Sequence, residues 1–187
     1  NDCLRAVQFI RSKAKEWNLD PTRLGVTGGS AGGHLTMFVA THDDLADPDS
    51  DDPVARQSSR VQCAVPFAGP SDWSLLSTIK HDHPAYRQLI GYDPGTPAAQ
   101  MKEARKRDVS PISYVSAADP PMMIVHGDAD DIVPFAHAEV MFKRLKEFGV
   151  EAELVTIKNG RHNVSGAGRA EVVERAIPFI KKQLKVK

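Results

Sequence analysis

The chain has 187 residues, 41% of them hydrophobic and 26% charged, which fits one globular domain with a core of its own. Its 24 Lys and Arg balance its 24 Asp and Glu, so nothing argues for nucleic acid or an anionic membrane surface as partner. No apolar run approaches the roughly 18 residues of a membrane-spanning helix, and the two cysteines, Cys3 and Cys63, form neither a disulfide framework nor a CxxC metal site.

The chain opens on Asn1, without Met and without a basic stretch followed by an apolar one. It reads as a fragment, a processed form or a protein whose start lies elsewhere, and no localisation signal is legible. Leu4, Val7, Ile10, Ala14 and Trp17 recur at spacings of three and four and predict a first helix with those residues inward, capped by Asn1 or Asp2. Asp20-Pro21 breaks it. "RLGVTG" predicts a short strand, and residues 30–41 a helix with Leu35, Phe38 and Val39 on its inner side. Residues 42–60 form an acidic loop punctuated by prolines. Its Asp47, Asp49 and Asp51 suggest a calcium loop, but Asp52 stands where Gly is required and Ser58 where the closing Glu is required, so it reads as solvated.

"VQCAVPFAG" predicts a second strand. Residues 71–118 make an irregular insert with short helices around 73–79, 85–90 and 98–107. "PMMIVHG" is a third strand. Residues 134–149 predict an amphipathic helix with Ala138, Met141, Phe142, Leu145 and Phe148 inward and Gly149 closing it. "EAELVTIK" is a fourth strand, followed by a last helix containing Pro178, where a kink or a late start is expected. Strands alternating with helices predict an α/β fold, three layers α/β/α, with a mainly parallel sheet. Right-handed crossovers bring every strand's C-terminal end to one edge, where sites form in such folds.

The stretch "RLGVTGGSAGGHLTMF" sits at that edge. A phosphate-binding P-loop needs Lys and then Ser or Thr after its last Gly, and His34-Leu35 stand there instead. A dinucleotide fingerprint needs Gly at Ser30 or at Thr27, according to its start. G-x-S-x-G is met, by Gly28, Gly29, Ser30, Ala31 and Gly32. In that motif a strand turns sharply into a helix and projects the serine hydroxyl, the residues two before and two after pack closely, and the next N–H, here that of Ala31, faces a developing oxyanion.

A nucleophilic serine needs a base and a group that orients the base, in the chain order Ser, acid, His. The third strand is followed by Asp128, Asp130 and Asp131, and the fourth by His162. Of the other histidines, His34 reads as packing behind the turn and His42 and His137 as surface. His126 reads as a core histidine held by a hydrogen bond, and the pair His81 and His83 lacks a third metal ligand.

These residues make the chain resemble the α/β-hydrolase superfamily, in the esterase/lipase branch of carbohydrate esterases and hormone-sensitive-lipase-like enzymes. The resemblance rests on "DPTRLGVTGGSAGGHL", "SPISYVSAADPPMMIVHGDADDIVP" and "NGRHN". It implies a single domain over residues 1–187 that supplies the C-terminal half of the family fold, without the front part that carries an HGG-type loop. The family pattern HG-x-x-D-x-x-VP, laid on His126 to Pro134, implies Asp130 as the acid, with Asp131 the runner-up. The roles implied are Ser30 as nucleophile, His162 as base and Asp130 as its orienter, with Ala31 as one oxyanion donor and Gly29, Asp72 and Trp73 on the substrate-binding rim. No His-Gly-Gly occurs to supply a second donor.

The expected activity is hydrolysis of short acyl or acyl-carbohydrate esters, with no cofactor and no metal. A prolyl-oligopeptidase-like peptidase and a weak or inactive scaffold that associates through an exposed sheet edge are the alternatives. The first predicted strand would be that edge, open to pairing with a second copy.

Overall fold

The computed structural model describes residues 2–78, 84–162 and 167–186. His81 and His83 lie outside them, as do Asn1 and residues 163–166. In chain order the elements are α1 (Asp2–Ser12), β1 (Gly25–Gly29), α2 (Ala31–Thr41), β2 (Cys63–Phe67), α3 (Pro84–Ile90), α4 (Glu103–Asp108), β3 (Met122–Gly127), α5 (Ala136–Glu147), β4 (Ala152–Ile157) and α6 (Ala167–Gln183). Short 3₁₀ turns at Trp73–Thr78, Ala98–Gln100 and Pro111–Tyr114 fill out the insert.

The four strands form one parallel sheet in the order β1-β2-β3-β4. Every second residue of a strand points to the same face, and the two faces carry separate cores. Ala64, Met122 and Ile124 pack with Leu4 of α1, Met37 and Val39 of α2, and Met141 and Leu145 of α5. Cys63, Val65, Met123, Val125 and Val155 pack with Val172, Ala176 and Phe179 of α6. The insert buries a third cluster of Trp73, Leu76, Ile90 and Met101.

Several side chains lie differently from the expected pattern. α1 stops at Ser12 and passes into turns, closed by Lys13 N–H and Ala14 N–H bonding back to Ile10 and Arg11 carbonyls. Leu4 and Ala14 are buried and Val7 is half-buried, but Ile10 and Trp17 are exposed, and Trp17 packs edge-on against Phe9 at 5.9 Å. The inner face instead carries Gln8, whose amide donates to the carbonyls of Leu45, Ala55 and Gln57 and pins the acidic loop. In α2, Val39 is buried but Leu35 is exposed; Met37, Ala40 and His34 take the core positions. His137, expected at the surface, is fully buried, because it shares the stripe of Ala138, Met141 and Leu145. Pro178 stands within α6, which begins at Ala167, earlier than the sequence suggests.

Candidate functional site

Ser30 joins β1 to α2 at φ 55° and ψ −117°, a combination costing on the order of 1–3 kcal/mol. A serine at this position normally turns its hydroxyl onto the helix N–H groups. Here it makes no such bond, and its Oγ–H donates to His162 Nε2 at 2.8 Å. The turn is braced by β2, where Ser30 N–H donates to the Phe67 carbonyl at 2.8 Å. A Cβ at Gly28 would lie 2.6 Å from the Gly32 carbonyl, so the tight approach of strand to helix needs glycine there. Ala31 N–H precedes the first intrahelical bond, His34 N–H to the Ser30 carbonyl, and its residue is exposed.

The ends of β3 and β4 deliver the remaining groups. A Cβ at Gly127 would lie 2.1 Å from the Gly160 carbonyl, so these two strand ends touch backbone to backbone. Asp128 Oδ1 accepts from Asn159 N–H at 2.6 Å, and Ala129 N–H donates to Gly160, which clamps the two loops together. Across this contact His162 Nδ1–H donates to Asp130 Oδ2 at 2.8 Å. Asp131 lies apart, half-buried and paired with Arg161 at 3.3 Å. Of the three acids in the loop, Asp130 is the one that meets His162.

Asp130 has no exposed side-chain surface, and His162 keeps 11% of its own. Burial alone would raise the Asp130 pKa. Hydrogen bonds from His126, His162 and the N–H groups of Ile132 and Val133 outweigh it and hold the carboxyl far below the usual range. His126, the expected core histidine, is one of those donors, at 3.0 Å from Oδ2. Its place four residues before the acid, at a strand end, was the only hint of this in the sequence.

The rim residues divide. Gly29 is exposed beside Ser30. Asp72 caps the turn after β2, its Oδ1 accepting from Ser74 N–H at 2.8 Å. Trp73 is 1% exposed inside the insert cluster, packed edge-on against His34 at 5.6 Å, so it takes a packing position and not a rim position. His34 packs behind the turn, its Nδ1 bonded to the Pro70 carbonyl at 3.0 Å. An apolar groove of about 350 Å³ between α1, α2 and the insert is lined by Leu4, Leu35, Phe38 and Leu89, and neither Ser30 nor His162 lines it. Among the described residues, no cluster of three or more His, Cys, Asp or Glu side chains could hold a metal ion, and no helix is long and apolar enough to cross a membrane.

The chain is similar to several known proteins. The family model BD-FAE matches residues 1–145. The probable carboxylic ester hydrolase LipM of Mycobacterium tuberculosis is 32% identical over 148 residues, covering 78% of this chain and 33% of LipM. The uncharacterized peptidase YuxL of Bacillus subtilis is 30% identical over 172 residues, 90% of this chain and 22% of YuxL. The chain thus spans a third or less of either relative. Among solved structures, a truncated form of a carbohydrate esterase from gut microbiota superposes with a TM-score of 0.82 at 27% identity, over 98% of this chain and 67% of that one. With the parallel sheet, the serine turn and residues 1–145 matched, the chain belongs to the BD-FAE family, in the esterase branch of the α/β-hydrolases.

Proposed function

We propose that the chain hydrolyses carboxylic esters of short acyl groups or acylated carbohydrates through an acyl-enzyme on Ser30. One observation carries the reading: an unbroken line of hydrogen bonds, 2.8 Å from Ser30 Oγ to His162 Nε2 and 2.8 Å from His162 Nδ1 to Asp130 Oδ2. The names of LipM and of the carbohydrate esterase agree with it.

In this mechanism His162 Nε2 takes the Ser30 proton as Oγ attacks the ester carbonyl carbon. The carbonyl π pair moves to oxygen, and the Ala31 N–H at the start of α2 stabilises that oxyanion. The oxyanion collapses, the C–O bond to the alcohol breaks, and His162 returns the proton to the leaving alkoxide. Water then repeats the sequence on the acyl-enzyme and releases the acid. Asp130, ionised throughout, fixes the His162 proton on Nδ1 and balances the imidazolium. Gly29 stays the candidate for the rim.

The decisive experiment is p-nitrophenyl acetate hydrolysis with fluorophosphonate labelling. The parent gives an acetyl burst and one label per chain, and S30A gives neither. A folded parent that shows neither burst nor label sinks the reading.

YuxL motivates a second reading, in which the same groups cleave a peptide bond. Side-by-side assays on an ester and the matching amide decide between them. Association belongs to the proposal too: among the described residues β1 pairs on one side only, and a second copy joining along it would close the sheet edge.

A further inference from the structure

His126 is fully buried at the end of β3 and touches the proposed acid, yet the mechanism above leaves it unused. Its Nε2 lies 3.0 Å from Asp130 Oδ2 and 2.9 Å from the Val133 carbonyl. Its Nδ1 is buried with no hydrogen-bond partner among the described residues. A doubly protonated ring would bury an unmatched N–H, so the partners assign a neutral imidazole with its proton on Nε2. That proton is shared between the two oxygens.

The other side of the contact sharpens this. Asp130 Oδ1 accepts from Ile132 N–H and Val133 N–H, each at 2.9 Å, and these two backbone donors peg the carboxylate in place. Oδ2 receives both imidazoles, His126 from one side and His162 from the other. Two donors on one oxygen share its charge, and each weakens the other.

We infer that His126 is a positioning residue that sets the basicity of His162, by drawing charge from the oxygen on which His162 leans. The inference rests on Ser30, His162 and Asp130 acting as proposed above. Other titratable and charged groups nearby include His137, from α5, with Asp72 and His34 beside it, Tyr86, from α3 on the Asp130 side, and the Asp131–Arg161 pair flanking Asp130 and His162. The imidazoles on Oδ2 are those of His126 and His162. Without the His126 donor, Oδ2 turns its full charge on His162 Nδ1–H. The imidazolium is then favoured, and the base stays protonated to higher pH.

The test compares H126Q with H126N. The Gln amide reaches the position of Nε2 and restores the donor. The Asn amide, one methylene shorter, falls short of Asp130. The readout is the pH dependence of fluorophosphonate labelling, with S30A as blank. H126Q is expected to follow the parent. The acid limb of H126N is expected to move up by roughly half a pH unit or more, so that labelling slows several-fold at the acid end and recovers at high pH. Coincident limbs for H126N and the parent overturn the proposal, and so does an equal shift in both variants, which marks a packing effect. A parent that does not label, or an S30A that labels equally fast, overturns the Ser30 reading first and is read separately. Should H126N fail to fold, the imidazole nitrogen resonances of the parent decide. His126 is expected neutral with its proton on Nε2 while His162 titrates, and a proton on Nδ1 overturns the inference.

Discussion

At the residue scale, His137 couples stability to pH. Burial pushes its pKa down to about 4. In the unfolded chain the ring titrates near 6.5. Between those values the unfolded state binds a proton that the native state refuses, so stability falls as pH drops from about 6.5 towards 4. His34, also lowered by burial, acts in the same sense, and Asp119, raised by burial, acts in the opposite one. The variant H137N keeps an acceptor for Ser71 N–H, which now bonds Nδ1 at 3.2 Å, and cannot titrate. Its melting temperature is expected to fall less steeply than the parent's from pH 6.5 to 4.5. Parallel curves would show that His137 contributes nothing. A histidine in a helix reads as surface unless the stripe beside it is weighed, and residues 137, 138, 141 and 145 lie along one helical face. Gln8 was illegible for another reason: its partners are 37, 47 and 49 residues away, and no local pattern announces them.

At the element scale, the order of strands and helices was legible, because period-two and period-3.6 patterns are local and crossover handedness leaves few arrangements. Ser30, the acid loop and His162 were legible for the same reason: each follows a strand end, and a parallel sheet gathers those ends. Strand-end placement alone left the acid open, since Asp128, Asp130 and Asp131 differ only in which way a turn points them; it was the family pattern laid on His126 to Pro134 that singled out Asp130, the acid that meets His162. The glycines of the serine turn also look equivalent in the sequence and are not. A Cβ at Gly28 would lie 2.6 Å from the Gly32 carbonyl, whereas one at Gly32 meets nothing within 4 Å. G28A is therefore expected to cost about 1–3 kcal/mol through overpacking and to slow labelling of Ser30 more than tenfold. G32A, in a helix, is expected to be neutral or stabilising by about 0.5–1 kcal/mol, with labelling near the parent rate. Thermal melts and label kinetics on the two variants check this. Equal losses in both would mean that the turn needs flexibility and not space.

At the scale of the whole molecule, the three layers are unequal. Helices α1, α2 and α5 cover one face of the sheet, while α6 alone covers the other, over β2 and β3. β1 is left with Gly25, Thr27 and Gly29 exposed on the α6 side and one row of backbone groups unpaired among the described residues. Natural edges are guarded by Lys, Pro or a bulge. β1 reads Gly-Val-Thr-Gly-Gly and has none of these. The proposed pairing of two copies along β1 would satisfy those groups without moving the serine turn. Sedimentation equilibrium is expected to show a monomer–dimer equilibrium that shifts with concentration. Thr27→Lys places a charge on the exposed edge at the cost of one hydrogen bond, Oγ1 to the Val65 carbonyl at 2.8 Å. It is expected to weaken association at least tenfold, about 1.4 kcal/mol, while Ser30 still labels. A parent that stays monomeric at every concentration, or a T27K dimer as tight as the parent's, removes β1 as the contact. The catalytic proposal then stands on the Ser30, His162 and Asp130 geometry of a single chain.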